Sequence, residues 1–199
     1  TFEGGEGSGK STQIQHLSNF LAQKGIEHIT TREPGGTEGG QLIRNLLIDP
    51  TMPDWDAMTE YMLLLADRRY HVESKIKPAL QSGKWVISDR FQDSSVVYQG
   101  WGKGLNLESL SIMYKEVIGD FYPDITFILD LPIQISQERV QKRGGQADRF
   151  EREKQDFHEK IRQGYLAIAQ QYPERCRIID ATQSPENIAQ DILQSLNLV

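Results

Sequence analysis

The chain has 199 residues, of which 38% are hydrophobic and 25% are charged, a composition typical of one globular domain with a full core. Its net charge of -6 argues against a surface that coats nucleic acid, because such a surface needs clustered Lys and Arg. No apolar run approaches the roughly 20 residues that cross a bilayer, so we expect no membrane partner. The only cysteine, Cys176, cannot form an intrachain disulfide, which favours a reducing cytoplasm.

Short β-branched runs alternate along the chain with longer segments of helical periodicity, and this alternation predicts an α/β fold. We expect one domain over residues 1–199 with a parallel sheet of five strands. The predicted strands are residues 1–3, 27–31, 85–89, 125–131 and 177–180. Apolar residues spaced by three or four positions predict crossover helices within 14–21, 110–117, 157–172 and 188–196.

The first predicted strand runs directly into GGEGSGKST, which matches the pattern G-x-x-x-x-G-K-[ST]. Glycines let backbone N–H groups face a phosphate, and the following helix presents its positive end to the same place. Lys10 would reach the β and γ phosphates of a bound nucleotide, and the Ser11 hydroxyl would bind Mg²⁺. The predicted phosphate-binding residues are Gly4, Gly5, Glu6, Gly7, Ser8, Gly9, Lys10, Ser11 and Thr12.

Two segments are longer than a crossover connection requires, and both are candidates for the walls of a ligand site. Residues 32–84 begin with REPGGTEGG, whose glycines and proline interrupt regular structure. Residues 141–153, QKRGGQADRFERE, are basic and are broken by glycines.

Two predicted strands end in an aspartate that could complete a magnesium site. We favour Asp89, because Arg90 and a polar segment follow it at the carboxyl end of a strand, where α/β proteins bind ligands. Asp130 is interpreted as a helix-cap or turn carboxylate.

A phosphate loop alone fits a motor ATPase, a GTPase switch or a small-molecule kinase. The sequence lacks the Asn-Lys-x-Asp motif of guanine recognition, and its arginines cluster near the two long segments. Forked guanidinium groups suit a reaction that brings two phosphates together, such as transfer to a nucleoside monophosphate. Arg69, Arg139 and Arg152 are interpreted instead as surface residues that pair with nearby glutamates.

Five motifs, in this order and spacing, resemble those of bacterial thymidylate kinases. They are EGGEGSGKST, TREPGGTEGGQLIR, the ADR of residues 66–68, DRFQDSSVVYQG and RGGQADRFE. The resemblance covers the whole chain and implies a P-loop NTPase fold with strand order 2-3-1-4-5, a lid at about 141–153 and a homodimer. It implies phosphoryl transfer from ATP to dTMP with Mg²⁺, giving dTDP for dTTP synthesis. Another nucleoside monophosphate kinase, or a non-catalytic nucleotide-binding module, stays open as an alternative.

The resemblance also implies roles for individual residues. Glu6 would bind the 3′-hydroxyl of the deoxyribose, and Arg44 and Arg90 would hold the 5′-phosphate of dTMP. Arg68 would reach thymine O4, and Tyr98 would occupy the place of a ribose 2′-hydroxyl. The implied dTMP-binding residues are Glu6, Glu33, Arg44, Leu64, Arg68, Arg90, Ser95, Tyr98, Gln99 and Tyr165, and the implied catalytic residues are Lys10, Arg90, Arg143, Arg149 and Glu6.

Leu64 departs from the family pattern, which commonly has a Phe against the thymine ring at this position. Either Leu64 makes plain apolar contact or a nearby ring compensates. We therefore expect Arg68 to carry much of the base choice, unless it pairs with Asp67 or Glu60 on a helix surface.

Overall fold

The computed structural model describes residues 1–49, 51–52, 54–144 and 153–198. At its centre lies a five-stranded parallel sheet with the order β2-β3-β1-β4-β5, as expected. Each predicted strand boundary lies within one residue of the observed one. The strands are β1 (Phe2–Glu3), β2 (His28–Arg32), β3 (Trp85–Asp89), β4 (Thr126–Asp130) and β5 (Cys176–Asp180).

Helices connect the strands, and polar side chains begin several of them. Thr37, Asp56, Asn106 and Ser184 each accept a hydrogen bond from a backbone N–H of the first helical turn. No helix in the described part of the chain has the length and apolar character that a bilayer crossing needs. The helices are α1 (Lys10–Gln23), α2 (Glu38–Ile48), α3 (Ala57–His71), α4 (Lys77–Gln81), α5 (Gln92–Ser95), α6 (Leu107–Ile118), α7 (Ile133–Arg143), α8 (Gln155–Gln171) and α9 (Pro185–Ser195), with π-helical turns at Val72–Ile76 and Val96–Gly102.

Strand β4 is buried on both faces because helices cover both sides of the sheet. Phe127 and Leu129 pack with α1 and α9 on one side. Ile128, between them in the sequence, points the other way and packs against Val97 and Ile161. The Cys176 thiol is also buried, and burial raises its pKa to about 11, which agrees with a packing role.

All five strands run in one direction, so their carboxyl ends share one edge of the sheet. The phosphate loop follows β1 there, and Arg90 follows β3. The first long segment folds into α2 and α3, which pack together and supply a wall of the cavity described below, as predicted. Most of the second long segment, 145–152, lies outside the described residues, and so do the predicted lid residue Arg149 and the surface candidate Arg152.

Candidate active site

The loop between β1 and α1 contains two glycines, Gly4 and Gly7, that no other residue could replace without strain. Gly4 has φ 136°, and a Cβ there would lie 2.7 Å from the carbonyl oxygen of Leu129. Gly7 has φ 69°, and a Cβ there would lie 2.9 Å from the carbonyl oxygen of Ser136. The backbone of the loop therefore packs directly against Leu129 of β4 and Ser136 of α7.

Lys10, the first residue of α1, folds back over this loop. Its Nζ donates to the carbonyl oxygens of Gly4 and Gly5, each at 3.0 Å. Burial lowers the pKa of Lys10, and the nearby charge of Arg90 lowers it further. An anion placed in this loop would relieve both effects, which is the environment expected of a phosphate-binding lysine.

Two cavities meet beside the loop. One has a volume of about 730 Å³ and is lined by residues 6–13 together with Asp89, Arg139 and Gln183. The other has a volume of about 120 Å³. Four residues line both cavities: Glu6, Glu33, Arg44 and Arg90.

The smaller cavity brings together nine of the ten residues that the sequence implied for dTMP binding. Phe91, which the sequence did not single out, also lines it and supplies a ring near Leu64. The tenth residue, Tyr165, does not line this cavity. The nine are Glu6, Glu33, Arg44, Leu64, Arg68, Arg90, Ser95, Tyr98 and Gln99.

Arg90 is the centre of a hydrogen-bond network between these cavities. Its Nη2 donates to Glu6 Oε1 at 3.0 Å and to the Tyr98 hydroxyl at 3.2 Å. Its Nη1 donates to Ser94 Oγ and to the Tyr165 hydroxyl, both at 2.9 Å. Arg90 has φ 69°, so the left-handed backbone at this residue turns its side chain into the site.

Glu6 is an anion in this network. Burial alone would raise its pKa, but the charges of Arg90 and Lys10 and a 2.7 Å hydrogen bond from Tyr98 hold the pKa down to about 2. Glu6 therefore keeps its charge throughout the neutral range, and it can accept a hydrogen bond from a ligand hydroxyl.

Glu3, the last residue of β1, binds Ser94 and Tyr165, which are hydrogen-bond partners of Arg90. The sequence analysis did not identify Glu3. Its carboxylate accepts hydrogen bonds from the backbone N–H of Phe91 at 2.7 Å and from Ser94 Oγ at 2.6 Å. Tyr165 donates to the same carboxylate at 3.1 Å. Burial, reinforced by the charge of Asp93, raises the pKa of Glu3 to about 7.

Arg68 is fully buried, with 1% of its surface exposed, so the alternative that it pairs on a helix surface is wrong. Its Nε donates to Glu33 Oε2 at 2.6 Å, its Nη1 to Gln92 Oε1 at 2.5 Å and its Nη2 to Ser95 Oγ at 3.0 Å. Glu33 also accepts a hydrogen bond from His71 Nδ1. Of these partners, the sequence analysis overlooked Gln92 and His71.

Gln99 has a fixed orientation in the wall of the smaller cavity. Its Nε2 donates at 3.1 Å to the carboxylate of Glu60, which is ion-paired with Lys103 at 2.6 Å. A carboxylate can only accept, so the amide nitrogen must face Glu60. The Gln99 Oε1 atom is left buried, with no hydrogen-bond partner among the described residues.

The two strand-end aspartates differ in their surroundings. Asp130 accepts hydrogen bonds from Arg162 Nε at 2.7 Å and Nη2 at 2.9 Å, so its interpretation as a cap or turn carboxylate is wrong. Asp89 Oδ1 is buried with no partner in the described part of the chain, and Asp89 lines the larger cavity together with Ser11. In the described part of the chain, no group of three or more His, Cys, Asp or Glu side chains is arranged so that it could hold a metal ion.

Two of the arginines that we interpreted as surface residues lie in described segments. Arg69 pairs with Glu73 at 2.9 Å on the exposed face of α3 and its π-helical continuation, as predicted. Arg139 instead donates to the carbonyl oxygen of Ala181 at 3.0 Å and lines the larger cavity, so its interpretation as a partner of a neighbouring glutamate is wrong.

Comparisons with known proteins agree with this geometry. The family model for thymidylate kinase matches residues 2–192. The thymidylate kinase of Ruthia magnifica subsp. Calyptogena magnifica is 45% identical over 192 residues, which cover 96% of this chain and 93% of that protein. That of Carboxydothermus hydrogenoformans is 45% identical over 200 residues, covering 99% of this chain and 97% of that protein. The crystal structure of thymidylate kinase from Ehrlichia chaffeensis matches with a TM-score of 0.79 and 32% identity, covering 98% of this chain and 96% of that chain. With the family model spanning nearly the whole chain and such relatives beside it, this protein belongs to the thymidylate kinase family.

Proposed function

We propose that this protein transfers the γ-phosphoryl group of ATP to dTMP, giving ADP and dTDP for dTTP synthesis. The observation that carries the proposal is that the phosphate-loop cavity and the smaller cavity meet at Glu6 and Arg90. A donor nucleotide in the first and an acceptor in the second would present their phosphates to each other. Positioning of this kind is the main task of a phosphoryl-transfer enzyme.

The larger cavity suits the ATP triphosphate with Mg²⁺. Lys10 and the backbone N–H groups of the loop supply positive charge to this cavity. Arg139 and Gln183 also line it. The unpartnered Oδ1 of Asp89 and the Ser11 hydroxyl are hard oxygen donors of the type that Mg²⁺ prefers. When bound there, Mg²⁺ would neutralise charge on the phosphates during transfer.

The smaller cavity suits thymine because it offers one hydrogen-bond donor and one acceptor, which match the O4 and N3–H groups of the base. Arg68 can donate to a carbonyl at ring position 4, and the unpartnered Gln99 Oε1 can accept from the adjacent N3–H group. Cytosine reverses both groups, since it has an amine at position 4 and an acceptor at N3. Leu64 and Phe91 supply apolar surface for the ring itself.

The residues between the two cavities suit the phosphate and sugar of dTMP. Arg44 and Arg90 would hold the 5′-phosphate, and Glu6 would accept a hydrogen bond from the 3′-hydroxyl. A phosphate acceptor is already ionised at neutral pH, so no general base is required. The lid arginines, Arg143 and Arg149, would close over the transferring group and keep water out.

A panel of nucleoside monophosphates in a coupled assay of ADP release tests this function. We expect dTMP to give the highest kcat/KM and dUMP to be the nearest competitor. A higher kcat/KM with another monophosphate would favour a different base, and ATP binding without any acceptor-dependent turnover would favour a non-catalytic nucleotide-binding module.

We also propose that the protein works as a homodimer in the cytoplasm. The neighbouring helices α2, α3 and α6 carry large apolar side chains that are exposed in the single chain, and an exposed patch of this kind is typical of an interface. Light scattering after size exclusion should give twice the mass of the chain, and Met62→Glu should shift the protein toward the monomer. The exposed apolar residues on these helices are Leu42, Leu46, Met62, Tyr70, Leu107 and Ile112.

A further inference from the structure

A continuous line of hydrogen bonds, partly buried at Thr31 and fully buried beyond it, runs from strand β2 to the base-binding arginine. Thr31 Oγ1 lies 2.7 Å from His71 Nε2, His71 Nδ1 lies 2.9 Å from Glu33 Oε1, and Glu33 Oε2 lies 2.6 Å from Arg68 Nε. His71 is 0% exposed, Glu33 is 3% exposed and Arg68 is 1% exposed. Water is therefore excluded from the two contacts that Glu33 makes with His71 and Arg68.

The direction of these hydrogen bonds follows from the chemistry of the groups. The Glu33 carboxylate only accepts, so His71 Nδ1 must carry a proton and donate to it. The other ring nitrogen, Nε2, then meets the Thr31 hydroxyl, which can either donate or accept. The ring orientation is thus fixed at both nitrogens, and each oxygen of Glu33 is fixed by a buried side chain.

Glu33 in turn sets which N–H groups of Arg68 can reach a ligand. A guanidinium has five N–H donors, and here one goes to Glu33, one to Gln92 and one to Ser95. Among the described residues, one N–H on each terminal nitrogen has no hydrogen-bond acceptor. Because Glu33 binds Nε, the planar guanidinium cannot rotate, and its two remaining N–H groups keep one direction.

His71 also fixes the loop that carries Glu33. A Cβ at Gly36 would lie only 2.5 Å from His71 Nε2, so the loop packs against the ring with no space between them. The same loop is held by Lys75, whose Nζ donates to the carbonyl oxygen of Gly36 at 2.7 Å. Loss of the imidazole would therefore remove the ring that packs against the loop and one of the two buried side chains that hold the Glu33 carboxylate.

We propose that His71 and Glu33 are positioning residues that determine base specificity by holding Arg68 in its base-reading orientation. This inference rests on the proposed function and assigns Glu33 an indirect role, through Arg68, in place of direct contact with dTMP. Neither residue need touch the nucleotide. Their effect should appear in nucleotide binding and discrimination and should leave the rate of phosphoryl transfer at saturation nearly unchanged.

The test compares His71→Ala and Thr31→Val with the parent and with Thr30→Val as a matched control. Thr30 is an exposed residue of the same strand, so its substitution makes the same chemical change without touching His71. For each protein, kcat and KM are measured with dTMP and dCMP, the KM for ATP is measured, and the melting temperature is recorded. The parent assay comes first, because a parent without dTMP turnover would refute the proposed function itself.

We expect His71→Ala to raise the KM for dTMP about tenfold and to reduce the dTMP to dCMP ratio of kcat/KM by a similar factor, as for a lost buried hydrogen bond. The saturating kcat and the KM for ATP should stay within about twofold of the parent. Thr31→Val should change the same two quantities in the same direction by a smaller factor, and Thr30→Val should change neither.

A lower melting temperature with an unchanged dTMP KM and an unchanged dTMP to dCMP ratio would overturn the proposal and leave His71 a purely structural residue. If His71→Ala does not fold, Thr31→Val decides by the same criterion. It leaves His71 and Glu33 in place and removes only the hydroxyl that orients the ring.

Discussion

Arg90 donates to Glu6 across 3.0 Å, and this ion pair joins the phosphate loop to the segment that follows β3. The pair is about one-fifth exposed on each side, so it lies at the opening between the two cavities. At this place the Arg90 cation could bind an incoming phosphate, and the Glu6 anion could accept a hydrogen bond from a sugar hydroxyl.

Replacement of Lys10 by Ala should lower turnover at least about a hundredfold, the usual scale for the loss of one positioned charge donor. The lysine folds over the loop carbonyls of Gly4 and Gly5 and belongs to no core cluster, so the melting temperature should change little. Steady-state kinetics and a thermal melt measure both quantities. Lys84→Ala, which removes an exposed lysine on the surface, is the control. Near-normal turnover of Lys10→Ala would contradict the assignment of the phosphate loop.

Replacement of Arg143 or Arg149 by Ala should lower kcat more than it raises the KM for dTMP. Both arginines flank glycines in a polar segment, and the predicted lid would bring them to the phosphoryl group only during transfer. Arg152→Ala is the matched control, because we predict a surface role for that arginine. A change in KM alone would reduce both lid arginines to binding groups.

Replacement of Tyr98 by Ala should weaken the preference for dTMP over its ribonucleotide counterpart. The Tyr98 hydroxyl donates to Glu6, and its ring packs edge-on against Phe157, so the side chain is held firmly beside the predicted sugar position. Tyr98→Phe separates the ring from the hydroxyl and should keep most of the preference. The ratio of kcat/KM for the two nucleotides is the measurement, and an unchanged ratio in Tyr98→Ala would remove Tyr98 from sugar selection.

Replacement of Arg68 by Lys should lower the discrimination of dTMP against dCMP by about ten- to a hundredfold. Lysine keeps a positive charge beside Glu33 but loses the fork that also binds Gln92 and Ser95. The preference over dUMP should stay small, because a thymine methyl contributes about 0.8 kcal/mol of apolar burial. Arg68→Ala should lose the same discrimination, with a larger loss of stability because Glu33 keeps only His71 as a buried partner. Persistent rejection of dCMP in both variants would place base recognition elsewhere.

The stability of Glu3→Gln relative to that of the parent should increase as the pH rises. Burial raises the pKa of Glu3 from 4.5 to about 7, so the folded chain holds this proton at a pH where the unfolded chain has released it. The parent therefore loses stability between pH 4.5 and about 7, up to about 3 kcal/mol, and the variant lacks this loss. Melting temperatures at pH 5 and pH 8 should show a difference between variant and parent that grows with pH. Glu116→Gln, which makes the same chemical change on the exposed face of α6, is the matched control, and a constant difference for Glu3→Gln would contradict the raised pKa.

Features with a local signature could be predicted from the sequence. The strands are short apolar runs bounded by polar residues, and the phosphate loop is defined by glycines at fixed spacing, so both were located within a residue. Periodicity and spacing carry information of this kind because it is encoded over a few neighbouring positions. The dTMP-binding residues were implied by the resemblance to a known family instead, and nine of them line one cavity.

Partnerships between distant positions could not be predicted in this way. Glu3 in β1 meets Ser94 in α5 and Tyr165 in α8, which lie 91 and 162 positions away along the chain, and no pattern near Glu3 indicates these contacts. The same holds for Asp130, whose partner Arg162 comes from a different element and replaces the expected local turn or cap contact. These side chains are polar and at least partly buried, so their positions are set by the tertiary fold and by the hydrogen bonds that it makes available.

The left-handed backbone at Arg90 has a consequence for how this protein would respond to selection for heat resistance. A residue with a side chain gives up roughly 1 to 2 kcal/mol in that conformation, whereas glycine adopts it freely. Glycine at this position would relieve the backbone but remove the guanidinium that links Glu6, Ser94 and Tyr165. Because loss of the guanidinium would also leave the largely buried Glu6 carboxylate without this ion-pair partner, relief of the backbone alone would not make the glycine variant more heat-resistant.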